Sequence, residues 1–226
     1  LLPTYDIAYA GPRNRFTILT DSGPVIAHNC GYGMGAIKFQ AQLKTFGFDM
    51  ELDEARRVID IYRRTNNQIT GLWKDAQFMI ENLARGDATY LGRAGVLDVV
   101  PSESGIRLPS GLFMRYDDLV AEQGERGLEY SYKTRRGRTR IYGGKCIENA
   151  CQAIARCIIG EQMLKIAKKY RVVLTVHDAI TCCVREADVD EARAYIEECM
   201  RWVPDWAAGL PVNCESGVGD SYGDCE

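Results

Sequence analysis

Histidine is scarce in this chain. Among 226 residues only His28 and His177 can act as an imidazole acid or base. No apolar run is long enough to cross a membrane. Positive charge is not in excess either. Twenty-eight Lys and Arg stand against 31 Asp and Glu, for a net charge of −3. That balance excludes a protein that holds polyanions over its whole surface, although a local basic patch remains open. The nine cysteines lack paired CxxC spacing, which excludes the usual structural zinc site. Their odd number and the lack of a secretory signal point to a reducing compartment, so cytoplasm is the expected location. The first residue is Leu rather than Met, which reads as a fragment or a processed piece.

An ordinary apolar share of 46% can build a core for one medium domain or two small ones. The most structured stretch is Val172-Val173-Leu174-Thr175-Val176, then His177-Asp178, then Ala179-Ile180-Thr181-Cys182-Cys183-Val184. β-Branched runs of this kind favour a buried strand. A hairpin with His177 and Asp178 at its turn would hold the Asp178 carboxylate at the sheet edge, toward a cleft. Hard oxygen ligands so placed can hold a divalent cation. A solvated surface Asp is the plain alternative.

Residues 1–29 have a different texture. Thr4–Tyr9, Arg15–Thr20 and Val25–Ala27 read as three short strands, separated by Gly-Pro and Ser-Gly-Pro turns. They end at His28-Asn29-Cys30. An Asn side-chain amide can attack its own carbonyl and cleave the following peptide bond. A neighbouring His can donate the proton that step needs. Cys30 would then be the released amino-terminal nucleophile.

From Gly33 onward, helices are expected through Phe39–Leu43, from an N-cap at Asp53 through Tyr62, and from about Ile69 to Ala84. The last should bury Leu72, Trp73, Ala76, Met79, Ile80 and Leu83. Shorter strands and turns fill Gly86 to Arg140. Lys133, Arg135, Arg136, Arg138 and Arg140 form a basic run in a hairpin. Such a run is ordinarily a solvated face, but it can also neutralise phosphates without reading sequence. A long helix from about Lys145 to Tyr170 should bury Ile147, Ala150, Cys151, Ile154, Ala155, Ile158, Ile159 and Leu164. Asp188, with Glu191 completing a capping box, should open a final helix that Pro204 stops. The Gly- and Asp-rich tail from Glu215 to Glu226 reads as partly mobile. The fold class is α+β.

Two resemblances follow. The stretch TYDIAYAGPRNRFTILTDSGPVIAHNC resembles the carboxy-terminal segment of an intein. The resemblance implies that Asn29 cyclises, His28 assists and Cys30 accepts the acyl group, with Asp6 matching an Asp of the penultimate block. Asn14 stands where many inteins have His. The amino-terminal half, with its own nucleophile, is not in this sequence. Residues 30–226 are similar to the carboxy-terminal part of a phage-type family A DNA polymerase. The similarity rests on CGYGMGAIKF, LPSGLFMRY, YGGKCIENACQAIARCIIGEQML and LTVHDAI in one order.

That resemblance implies a palm with part of the helical fingers. Tyr32 and Gly33 would lie beside the nascent base pair. Asp178 would bind catalytic Mg2+, with His177 near the primer terminus. Gln152 would touch the primer–template, and Arg156 lies one turn further along the same helix. Asn149 sits one place off the family's usual Asn-to-Gln spacing. Ala179 stands where many relatives have Glu, and the palm's other Asp lies upstream in the family. The implied partners are primer–template DNA, deoxynucleoside triphosphates and an upstream polymerase and intein half, supplied in cis or in trans. The implied reaction is two-metal nucleotidyl transfer in DNA replication. Three alternatives stay open: a protein-splicing half, a fragment of a single-subunit RNA polymerase, and a decayed remnant that only folds.

Overall fold

The computed structural model describes residues 16–20, 23–27, 33–45, 47–92, 94–124 and 127–225. Helices and antiparallel sheets are mixed, so the fold is α+β. The described residues form two compact units. One holds those up to Ala84 together with Leu119–Glu148. The other holds Arg85–Asp118 and those from Asn149 onward.

In the first unit, β1 (Phe16–Thr20) pairs antiparallel with β2 (Gly23–Ala27), as the turn residues between them lead one to expect. The strand expected at Thr4–Tyr9 lies outside the described residues. Next come α1 (Ala36–Thr45), α2 (Leu52–Thr65) and α3 (Asn67–Arg85). Phe39 and Leu43 of α1 bury against Ala55 and Ile59 of α2, with Met34, Met50, Val58 and Tyr62 around them. Their spacing of three or four residues keeps one face apolar.

The N-cap of α2 is Glu51 rather than Asp53. Asp53 sits inside the first turn and accepts from Arg56 Nη1 at 2.7 Å. There it meets the positive end of the helix dipole, while Arg63 and Arg64 meet the negative end. On α3, Ala76, Met79, Ile80 and Leu83 are buried as expected, but Leu72 is exposed. The sheet β6 (Val120–Gly124), β7 (Gly127–Thr134) and β8 (Gly137–Ile141) completes this unit. Tyr130 and Ile141 are its buried pair.

The second unit opens with a three-stranded meander of β3 (Asp98–Val100), β4 (Gly105–Arg107) and β5 (Phe113–Arg115). Ile106 is wholly buried at its centre. Arg107 pairs with Asp98. The Gly95 amide and that guanidinium together hold the Asp98 carboxyl below its usual range. α4 (Gly143–Ile166) gives Gly143–Glu148 to the first unit and the rest to the second. It stops short of Tyr170, and the chain turns from Ala167 to Lys169 before β9. Ala150, Cys157, Ile158 and Ile166 are buried on it, whereas Cys151, Ala155 and Leu164 are exposed.

β9 (Arg171–Val176) and β10 (Ala179–Cys183) form a two-stranded antiparallel hairpin. α5 (Val189–Arg201) follows and buries Ala192 and Cys199. Asp188 is its N-cap, but no side-chain cap bond forms. The Asp188 carboxylate accepts from Arg185 instead, and Glu191 is taken by Lys169. The expected capping box is therefore absent, because stronger charged partners compete for both carboxylates.

The tail is tied down. Ser216 donates to the Glu197 carboxylate, and Ser221 and Asp224 close a capping box of their own. Among the described residues, no helix is long and apolar enough to cross a membrane.

Candidate active site

The β9–β10 pairing register joins Val176 to Ala179, so His177 and Asp178 alone form the turn. The favoured two-residue hairpin turns take positive φ at the first loop residue, and His177 supplies it at 54°. Asp178 follows at the apex, and both side chains are exposed. The turn expected from the sequence is present. The expected burial of its strand is not, because Val173, Leu174 and Val176 are 51%, 42% and 38% exposed. An isolated two-stranded sheet has no second layer to cover its apolar side chains. Burial pushes the Cys182 thiol up on β10, so it is no ready nucleophile.

Gln152 and Arg156 are four residues apart on α4 and both are exposed, so they share an open helix face. Asn149 has a different job. Its Nδ2 donates to the Tyr116 hydroxyl at 3.2 Å, which ties α4 to the loop after β5. Gly33 belongs to the first unit and takes φ of +85°. Asp6, Asn14, His28, Asn29, Cys30 and Tyr32 lie outside the described residues.

Among the described residues, no group of three or more His, Cys, Asp and Glu side chains converges to hold a metal ion. Asp178 offers one carboxylate at an open apex, and Mg2+ chemistry of this kind needs more than one. The described residues alone therefore do not make a magnesium site.

The first unit contains a groove of about 630 Å³ that motif reading missed. Gly33, Arg63, Trp73, Lys74, Gln77 and Tyr142 are on its walls. The Arg63 guanidinium lies 6.0 Å from the centre of the Trp73 ring and reaches the Met34 carbonyl at 3.5 Å. Trp73 was expected in the core but stands at this wall. The signal lay in α3 itself: Thr70, Trp73, Lys74, Gln77 and Glu81 recur at helical spacing and mix polar with aromatic character.

At the groove's floor the Gly143 amide donates to Gln77 Oε1 at 3.0 Å. A Cβ on Gly143 would lie 1.8 Å from the Trp73 carbonyl oxygen. Only glycine admits that approach. Gly143, read from the sequence only with Gly144 as a helix start, is thus a packing requirement.

Comparison with known proteins bears on these residues. The chain is 26% identical over 224 residues to the DNA polymerase of Bacillus phage SP02, covering 90% of this chain. The chain spans about a third of that relative's length, 32%. No family model matches, and no solved structure matches.

Proposed function

We propose that this chain is the carboxy-terminal portion of a template-directed DNA polymerase of family A. The observation that carries this is the His177–Asp178 apex, an exposed carboxylate on a two-residue turn. The relative's name and the order of the four sequence stretches support the same reading. In this account Asp178 contributes one oxygen ligand to catalytic magnesium, and an upstream segment contributes the other acid. His177 stands by the primer terminus. Gln152 and Arg156 present polar groups to primer–template DNA from the open face of α4. Gly33, after Tyr32, borders the groove beside the nascent pair.

The exposed Val173, Leu174 and Val176 favour a role for the missing half as well. Exposed aliphatic side chains on a thin hairpin are the surface a further strand or helix would cover. The isolated chain should therefore be inactive. Joining it to the upstream half at Cys30, or adding that half in trans, should yield primer extension from deoxynucleoside triphosphates. Robust Mg-dependent synthesis by the isolated chain contradicts this reading. Preference for ribonucleotides by the joined protein would make it an RNA polymerase instead.

A second reading concerns residues 1–29. The paired backbone of β1 and β2 favours the intein-like segment there. Mixing the chain with an amino-terminal intein half should give a ligated product, and Asn29→Ala should block release of the segment. No ligation in the wild type would remove this reading and leave the polymerase reading standing.

A further inference from the structure

The β7–β8 hairpin has a two-residue turn, Arg135-Arg136, because Thr134 pairs with Gly137. Neither arginine takes positive φ. Gly137 takes it instead, at +115°. The Thr134 hydroxyl donates to the Gly137 carbonyl at 2.7 Å and accepts from the Arg136 amide at 3.3 Å. The turn is thus fixed by backbone and threonine alone. Both arginine side chains are left out of it and exposed.

The pairing register sorts the rest by face. Lys133 lies opposite Arg138, and Ser131 opposite Arg140. Opposed residues share a face, so Lys133, Arg138 and Arg140 point one way. Tyr130 and Ile141, one residue along each strand, are the buried pair on the other side. The cations therefore stand on the outward face.

Along that face, the carboxylates of β6 and β7 stand at one end. Arg140 pairs with Glu129, and Glu129 lies opposite Glu122 of β6. Beyond Glu129, β7 and β8 themselves carry no further carboxylate. Arg138 is held in place by the Ser131 carbonyl at 2.8 Å and its hydroxyl at 3.1 Å. Lys133, Arg135 and Arg136 have no carboxylate partner among the described residues. These three cations thus crowd the tip of a chain whose net charge is −3. Leaving Lys133, Arg135 and Arg136 without a carboxylate costs repulsion that a polyanion removes.

We infer that the β7–β8 tip is a grip for the sugar–phosphate backbone of nucleic acid, sequence-blind and independent of the His177–Asp178 apex. The choice of nucleic acid over an acidic protein rests on the DNA-synthesis reading. The preference for phosphate rests on the arginines, whose planar forks match it.

The test is the salt dependence of binding to a fluorescent primer–template duplex between 50 and 200 mM NaCl. The wild-type chain is compared with K133Q/R135Q/R136Q. Arg138 is left intact because it braces the strand. Each lost phosphate contact lowers the slope of log affinity against log salt by about 0.9, so the variant's slope should fall by about 1 to 3. The loss should be the same on two duplexes of unrelated sequence. The charge-keeping K133R/R135K/R136K variant should restore most of the slope.

An unchanged slope in the glutamine variant overturns the inference. So does a loss seen with polyglutamate but not with duplex, which would assign the tip to an acidic protein. The polymerase reading is judged separately, by single-nucleotide insertion in the joined protein. Absence of insertion there leaves the slope result intact.

Discussion

Alanine in place of Gly143 and alanine in place of Gly160 should move stability in opposite directions, although both glycines lie on α4. At Gly143 the added methyl would fall 1.8 Å from the Trp73 carbonyl oxygen and 2.9 Å from the Gln77 amide nitrogen. Ordinary contact needs about 3.4 Å, so α3 and the start of α4 must separate by roughly 1.6 Å. Both obstructing atoms are helix backbone and cannot swing away. Overpacking of this kind costs about 1–3 kcal/mol. The 3.0 Å bond from the Gly143 amide to Gln77 would stretch past usefulness, for about 1 kcal/mol more. Better helix propensity returns less than about 1 kcal/mol at a first helical position.

The net expectation for Gly143→Ala is a loss of about 1–4 kcal/mol. At Gly160 nothing lies within 4 Å of the added methyl. There the same substitution only restricts the unfolded chain and favours the helix, a gain of about 0.5–1 kcal/mol. Urea unfolding followed by tryptophan fluorescence measures both, since Trp73 reports on the first contact directly. A neutral or stabilising Gly143→Ala would refute the close approach, and a destabilising Gly160→Ala would refute the open face.

Other consequences can be checked the same way. Glu197 accepts from Ser216, Arg201 and Arg193, which together hold its carboxyl at about 2. A depressed acid contributes stability above its unfolded value of 4.5, and that contribution is lost as pH falls toward 2. Protection of the tail amides around Ser216, measured against their intrinsic exchange at each pH, should therefore fall across that window. Glu197→Gln should leave the tail's protection low and nearly independent of pH there. Gln162 is wholly buried, and its Nε2 donates to the Met200 carbonyl at 2.7 Å and the Trp202 carbonyl at 2.9 Å. It thereby caps the end of α5 from α4. Gln162→Ala leaves a cavity and two bare carbonyls, and should cost about 2–4 kcal/mol in urea unfolding.

How much of this was legible in the sequence depended on the range of the interaction. The helices α1 to α5 and the apex at His177–Asp178 follow from local periodicity and turn chemistry, which a sequence carries openly. Boundaries slipped where a side chain had a better partner than its own helix end. Glu191 bonds Lys169 rather than completing a cap, and the N-cap of α2 is Glu51 rather than Asp53.

Burial was misjudged on β9, because β-branched composition signals a strand and not what covers it. Leu164 and Leu72 were misjudged for the same reason. The groove at Trp73 and Gly143 was not legible, because its Gly143 meets the Trp73 carbonyl and the side chain of Gln77, which lies 66 residues away in the chain. Nothing in a string of letters marks a glycine that must admit another helix's carbonyl. The basic hairpin was visible as a run of cations. Only the folded chain separates Arg140, paired with Glu129, from Lys133, Arg135 and Arg136 at the tip.

The central claim is that Asp178 is half of a metal-binding pair completed from upstream. Primer extension with the joined protein, and with its Asp178→Asn variant, tests it most directly. The account predicts Mg-dependent extension by the joined protein and a loss of roughly 10³-fold or more on substitution, with primer–template affinity kept. Extension by the joined Asp178→Asn protein at near the wild-type rate would contradict it.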